Sequence, residues 1–296
     1  INMALVANAG TSVSNSFVTM FSDDVKQAYQ QTSSNLVDAV RVVRNVTGST
    51  YKFHKLSKGG SIKNKARFED ITAMSDSSKS FAGSGAYTGS TAQNSVVTTT
   101  LNNYHSGEYI DDMDQFKTNI DLRNTFAQAI SSGLNRAVDQ EIIDALDASA
   151  PTTQVTAGSG LTKAKFLEVH EAMNGLSIPT NDRCIIISPQ ALTDLLTDTN
   201  LVTAADGLVS NTALTSGYIP NVFGFRVIMS TLLTKNSVQR DCYAIHKDSV
   251  GLALASDITT RIDYVAQKAS HLVLGTMSGG ATAIDADGIV KVEVTE

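Results

Sequence analysis

Five histidines, His54, His105, His170, His246 and His271, and two cysteines, Cys184 and Cys242, are the side chains best suited to bind a metal or to attack a substrate. Their spacing supports neither role. His170-Glu171 lacks a second histidine four residues on, which would put two imidazoles on one helix face, and neither cysteine has a partner two to four positions away. Asp285-Ala-Asp287-Gly288 opens like a calcium loop, but the later ligands and the closing glutamate are missing, so a hairpin turn ending on glycine is expected. Gly83-Ser-Gly85 and Gly158-Ser-Gly160 look like phosphate loops; neither follows a strand and opens a helix with the required Lys-Ser/Thr pair. There is no Gly-x-Ser-x-Gly elbow. No catalytic, cofactor-binding or metal-binding residue is therefore assigned, and the chain is read as a non-enzyme. A small soluble hydrolase using some Ser/His pair is the alternative from a different class.

Any such residues would need a scaffold, and one apolar stripe dominates it. From about Asn119 to Asp147, Leu122, Phe126, Ile130, Leu134, Val138 and Ile142 recur every four positions, with Ile120, Ala127, Ala137, Ala145 and Leu146 widening the stripe. Only a helix gathers that spacing, and because a four-residue repeat drifts around the axis, successive turns present apolar groups to different sides. Thr118, with Asp121 three residues on, marks its start, and Pro151 lies just past its end. At ~1.5 Å per residue it reaches roughly 40 Å, long for a compact enzyme domain. It reads as a strut touching several neighbours, with an ordinary buried helix as the alternative.

The 296 residues suffice for one large or two ordinary domains. Hydrophobic residues make up 42% and charged ones 18%, a balance tilted toward Thr, Ser, Ala, Asn and Gly that suits polar surface covered by other subunits. Twenty-three basic against 29 acidic residues give a net charge of −6, which argues against a dedicated nucleic-acid binder. A surface that encloses nucleic acid without gripping it remains allowed. No apolar run reaches the roughly eighteen residues of a membrane span. Ala7-Asn8-Ala9 imitates a signal-peptidase site, but no basic stretch precedes it, so secretion is not expected. Cys184 and Cys242 lie in or beside apolar runs and read as buried small hydrophobes; a disulfide is possible without being implied, and a reducing cytoplasm is the default.

Residues 1–21 carry no charge and only scattered apolar groups, Phe17 and Phe21 among them, so they are expected to form an arm lying along another surface. Ser22 should cap a helix through Val25, Ala28, Tyr29, Leu36, Val37 and Val40. From Val42 to Tyr109, two alternating runs, Tyr51–Leu56 and Val96–Leu101, bracket a stretch rich in Gly, Ser and Lys. This is a long two-stranded excursion whose tip, Ser57 to Asn94, cannot bury a core by itself. Lys52, Lys55, Lys58, Lys63, Lys65 and Arg67 make the excursion basic, while Glu108, Asp111, Asp112, Asp114 and Asp121 make the approach to the strut acidic. The excursion of one copy is expected to dock beside the acidic segment of the next, steered by that contrast. Two solvated surfaces of opposite sign are the alternative.

Beyond the strut, a helix led by Thr162 and ended by Asn174-Gly175, a buried strand Cys184–Ile187, and a helix opened by Ser188-Pro189 make an α/β module with strands at Phe223–Met229 and Cys242–Ile245. Asn200 to Pro220 reads as a loop. Strands at Thr259–Val265, His271–Leu274 and Ile289–Val294 close the chain, with one face expected against the strut.

The order of parts, with FVTMFSDDVKQAYQQ, YHSGEYIDDMDQ, VFGFRVIMS, YAIHKDSVGLALASDITTRIDY and GGATAIDADGIVKV, resembles the major capsid proteins of tailed bacteriophages of the short-tailed type, which have the Hong Kong 97 fold. The resemblance implies an α+β fold divided into an N-terminal arm and short helix (1–41), an extended loop (42–109), a peripheral domain with a spine helix (110–158), an axial domain (159–250) and closing strands of the peripheral domain (251–296). It implies self-assembly through pentamers and hexamers into an icosahedral shell around double-stranded DNA, held without sequence-specific binding. It also implies portal and scaffold proteins as partners, assembly in the host cytoplasm, and a place in the virion. The loop from Asn200 to Pro220 would face the symmetry axes. Some members of the family cross-link a lysine of the extended loop to an asparagine. Lys58, Lys63 and Lys65 are candidates by location only, and with no asparagine or acid to match them, cross-linking is not expected. An encapsulin-like shell around a protein cargo is the rival reading within the same fold.

Overall fold

Two sheets and a hairpin are held together by one long helix. The computed structural model describes residues 30–56, 67–68, 94–117, 121–156, 158–197, 219 and 221–296. A 3-10 turn at Val37–Ala39 leads into β1 (Arg41–Arg44). Strands β2 (Thr50–Leu56) and β3 (Asn94–Thr100) pair antiparallel from Thr50 opposite Thr100 to Leu56 opposite Asn94. Next come β4 (Asn102–Asp111), a short α1 (Asp112–Lys117) and the spine helix α2 (Leu122–Asp147). The α/β part contains β5 (Thr153–Val155), α3 (Lys163–Gly175), β6 (Arg183–Ile187), α4 (Pro189–Thr197), β7 (Asn221–Val222), β8 (Phe225–Met229), β9 (Lys235–Asn236) and β10 (Gln239–His246). The chain closes with β11 (Val250–Val265), β12 (Ser270–Ala283) and β13 (Ile289–Thr295).

The spine helix begins at Asp121, whose carboxylate accepts the Asn124 N–H at 3.3 Å. That satisfies one of the donors a helix start leaves free. Thr118, the expected start, lies outside the described residues. Of the stripe predicted from spacing, Ile130, Leu134, Val138, Ile142 and Leu146 are buried, with Ile143 beside them, while Leu122 and Phe126 are half-buried. The helix packs on a four-stranded sheet ordered β1-β11-β12-β4, in which β1 runs parallel to β11 and the other pairs are antiparallel. Gly275 of β12 makes the contact close: a Cβ there would collide with Ile130 Cγ2 and lie 2.9 Å from Leu134 Cδ1. At its far end the helix is tied to the other sheet, since Asp147 accepts the Tyr243 hydroxyl at 2.6 Å and the Thr234 hydroxyl.

The second sheet has seven strands, ordered β5-β13-β10-β6-β8-β7 with β9 beside β10. Every residue of β6 is buried, as the run Cys184–Ile187 predicts for a strand covered on both faces. Arg183 is buried with it and donates to the carbonyls of Pro179 (2.8 Å) and Ile178 (2.5 Å) and to Asn174 Oδ1 (2.9 Å), which offsets the cost of its desolvation. Phe166 of α3 meets Phe225 edge-on at 5.8 Å.

Three expectations are corrected. Residues 30–40 hold no α-helix; only the 3-10 turn forms there, so the helix expected from Ser22 does not continue to Val40. Strand β13 pairs with β10 and β5 in the seven-stranded sheet, so only β11 and β12 of the closing strands lie in the sheet under the spine. Asp285–Gly288 is no hairpin turn. It is a 3-10 corner between two sheets, with the Asp285 carboxylate accepting the Asp287 N–H at 3.1 Å.

Candidate functional site

No reaction centre takes shape among the described residues. No three His, Cys, Asp or Glu side chains there could hold a metal, and no described helix is long and apolar enough to cross a membrane. Cys184 and Cys242 are free and buried, and burial pushes both thiols up to about 12, so neither is a thiolate at neutral pH. Gly158-Ser-Gly160 serves packing: Gly160 leaves room for the Asp194 carboxylate, which accepts the Leu161 N–H at 3.2 Å. Gly83-Ser-Gly85 lies outside the described residues. Lys165, also buried, gives its ammonium to the carbonyls of Ser159 (2.8 Å) and Glu293 (2.7 Å), and burial lowers its pKa.

What is built with care is the base of the two-stranded excursion. Phe53 of β2 is buried with Val46, Leu101, Ala253 and Ile284 in a small core separate from the main one. Its ring lies over Gly251 of β11, where a Cβ would come within 2.5 to 2.8 Å of the ring carbons. Thr99 Oγ1 donates to the Ala281 carbonyl at 3.2 Å, and Gly280 leaves room for the Thr100 carbonyl. Lys55 pairs with Asp285 at 2.7 Å, both about one-third exposed. The hairpin therefore leaves the body of its own chain in a fixed direction.

The predicted contact residues are not brought together within one chain. Lys52 is exposed, and Lys55 is held by Asp285. Arg67 sits 5.1 Å over the Phe68 ring, which is 90% exposed. Lys58, Lys63, Lys65, Phe17 and Phe21 lie outside the described residues. Among the acids, Asp111 accepts the Met113 N–H at 2.7 Å, Asp112 lies 3.3 Å from His271 Nε2, and Asp114 lies 3.4 Å from Lys117. Glu108 is exposed, and among the described residues its carboxylate meets only the Tyr109 N–H at 3.3 Å.

Sequence reasoning missed Asp139. It is buried on the spine helix and accepts from Gln31 Nε2 (2.5 Å), the Ser34 hydroxyl, and the backbone N–H groups of Asn35 (3.0 Å) and Leu36 (3.1 Å). Asn135 and Arg136 add bonds to the Thr32 carbonyl (2.9 Å) and to Gln30 Oε1 (2.8 Å). Together they strap the end of the leading segment to the spine. A lone aspartate among polar helix residues gives no sequence signal for this role.

A directed hairpin and a leading segment strapped to the spine suit a building block. The model of a phage capsid protein family matches residues 13–296. The chain belongs to the phage capsid protein family. No curated protein sequence matches. Among solved structures, the capsid of Cyanophage P-SCSP1u is similar over 97% of this chain and 96% of that one, at 16% identity and a TM-score of 0.72. A chain of Gordonia phage Cozz is similar over 99% and 96%, at 13% identity and a TM-score of 0.70. One of Mycobacterium phage Che8 is similar over 94% and 97%, at 14% and 0.68. At such identities the likeness speaks to fold, which is the Hong Kong 97 type. This capsid protein is thus a major, shell-forming subunit of the virion, and the encapsulin reading is not favoured.

Proposed function

We propose that this capsid protein assembles through pentamers and hexamers into an icosahedral shell that encloses double-stranded DNA without reading its sequence. The observation that carries the proposal is the two-part character of the excursion. Its base is packed into its own chain by Phe53, Thr99 and Lys55, while the sequence from Ser57 to Gln93 is too poor in large apolar groups to bury a core of its own. A neighbouring copy supplies the missing surface, with the lysines at 58, 63 and 65 meeting an exposed acid such as Glu108. The leading segment, carrying Phe17 and Phe21, overlaps another copy. Residues 42–109 act as the extended loop, the spine and β11–β12 as the peripheral part, and the α/β module of 159–250 as the axial part. Portal and scaffold proteins join during assembly in the host cytoplasm. A net charge of −6 fits a wall along which packaged DNA slides.

Negative-stain microscopy and light scattering of the purified protein test the reading. Closed shells, carrying nuclease-protected double-stranded DNA of no fixed sequence when taken from infected cells, are the expected result. A particle no larger than a tetramer under all assembly conditions contradicts it, as the rival hydrolase requires.

A further inference from the structure

We infer that the outer edge of β11, from Thr259 to Val265, pairs antiparallel with the same segment of a second copy about a twofold axis at Ile262. The inference rests on the reading of the chain as a shell subunit and names one contact within the shell.

β12 accompanies β11 to its last residue, Val265, but on the other side β1 covers only Gly251 to Leu254. Two register shifts, between Leu254 and Ser256 and between Ser256 and Thr259, separate the covered half from the rest. Past them the ladder is regular, from Thr259 opposite Thr276 to Val265 opposite Ser270. No strand among the described residues lies on the outer edge of this half. Its unpaired amides and carbonyls form a template for another strand, and past Thr259 neither a proline nor a bulge interrupts that edge. Every residue from Thr259 to Tyr264 is exposed, including Ile262 at 43% and Tyr264 at 55%. A regular strand open on both faces and one edge calls for a cover.

The segment is complementary to itself. Antiparallel pairing that sets Ile262 opposite its own copy puts Arg261 opposite Asp263, and the twofold axis repeats that pair. Thr260 then faces Tyr264. Neither Arg261 nor Asp263 has an ion-pair or hydrogen-bond partner among the described residues. A register centred on Arg261 or on Asp263 would set like charges opposite each other. Asp257, the other acid within reach, is already paired with Arg44 at 2.7 Å.

The test is Ile262→Cys in the full chain, oxidised gently after assembly; the buried native thiols do not compete. Directly opposed side chains stand about 5 Å apart at Cβ, close enough to bridge. A covalent dimer on a non-reducing gel is expected. Mixed Thr260→Cys and Tyr264→Cys chains should cross-link several-fold better than either alone. Arg261→Asp should cut the Ile262→Cys dimer several-fold, and adding Asp263→Arg in the same chain should restore it. Shells that form normally without the 262 cross-link overturn the pairing and leave the capsid reading standing. Equal cross-linking from Val238→Cys, an exposed residue of the other sheet region, also overturns it. A dimer bridged at 262 in a protein that never forms shells supports the pairing and removes the shell reading.

Discussion

The ring of Phe53 occupies the space over Gly251 that any larger residue would need. This one contact fixes where the extended loop leaves the body. Gly251→Ala should force the ring aside and lower stability by about 1–3 kcal/mol, the usual cost of overpacking. Phe53→Ala should cost about 3–5 kcal/mol if the site cannot collapse. Urea midpoints measure both, and hydrogen exchange should show the loss concentrated in β2 and β3.

The Lys55–Asp285 pair at the same base gives a contrasting prediction. Its members are 32% and 33% exposed, so solvent screens them, and Lys55→Ala should cost less than about 1 kcal/mol. A larger loss would mean that charge rather than the Phe53 ring anchors the hairpin.

Asp139→Ala strips the partner from two backbone N–H groups and two side-chain donors. A loss of about 3 kcal/mol is expected, because buried donors left without acceptors carry their full desolvation cost. Limited proteolysis should then cut near Gln31–Leu36 at protease levels that leave the wild type intact there.

Stability should fall as pH rises above about 9. Burial holds the thiols of Cys184 and Cys242 neutral up to about 12, whereas the ordinary value is 9.0. The stabilisation is therefore complete below pH 9 and is lost progressively toward 12, as the unfolded chain releases protons that the folded chain keeps. Tyr243, raised by burial and by its bond to Asp147, acts in the same direction. Urea midpoints at pH 8 and 10.5 should show the decline, and a Cys184→Ala/Cys242→Ala variant should show a shallower one.

The spine helix was legible because its apolar residues keep one period over its whole length. Ile130, Leu134, Val138 and Ile142 are buried, Leu122 and Phe126 are half-buried against the same core, and Asp121 starts the helix within three residues of the expected position. The fully buried β6 and the proline at the start of α4 were legible for the same reason, a local pattern with a local cause. Strand β4 was not: with both faces open it has no apolar alternation, and its pairing with β12 is a tertiary fact. The helix expected to reach Val40 fails because Asp139, more than a hundred positions away, takes the N–H groups of Asn35 and Leu36 and holds the turn. The anchoring of the hairpin was equally hidden, since Phe53 and Gly251 meet only after β11 is in place.

The most direct test of the account removes residues 57–93 and joins Leu56 to Asn94 with a short Gly-Ser turn, which keeps the β2–β3 pairing and the Phe53 contact. Negative-stain microscopy, with circular dichroism of the same sample, should show a folded protein with wild-type secondary structure and no closed shells. Shells of wild-type size from the shortened chain would contradict the claim that this loop joins one copy to the next.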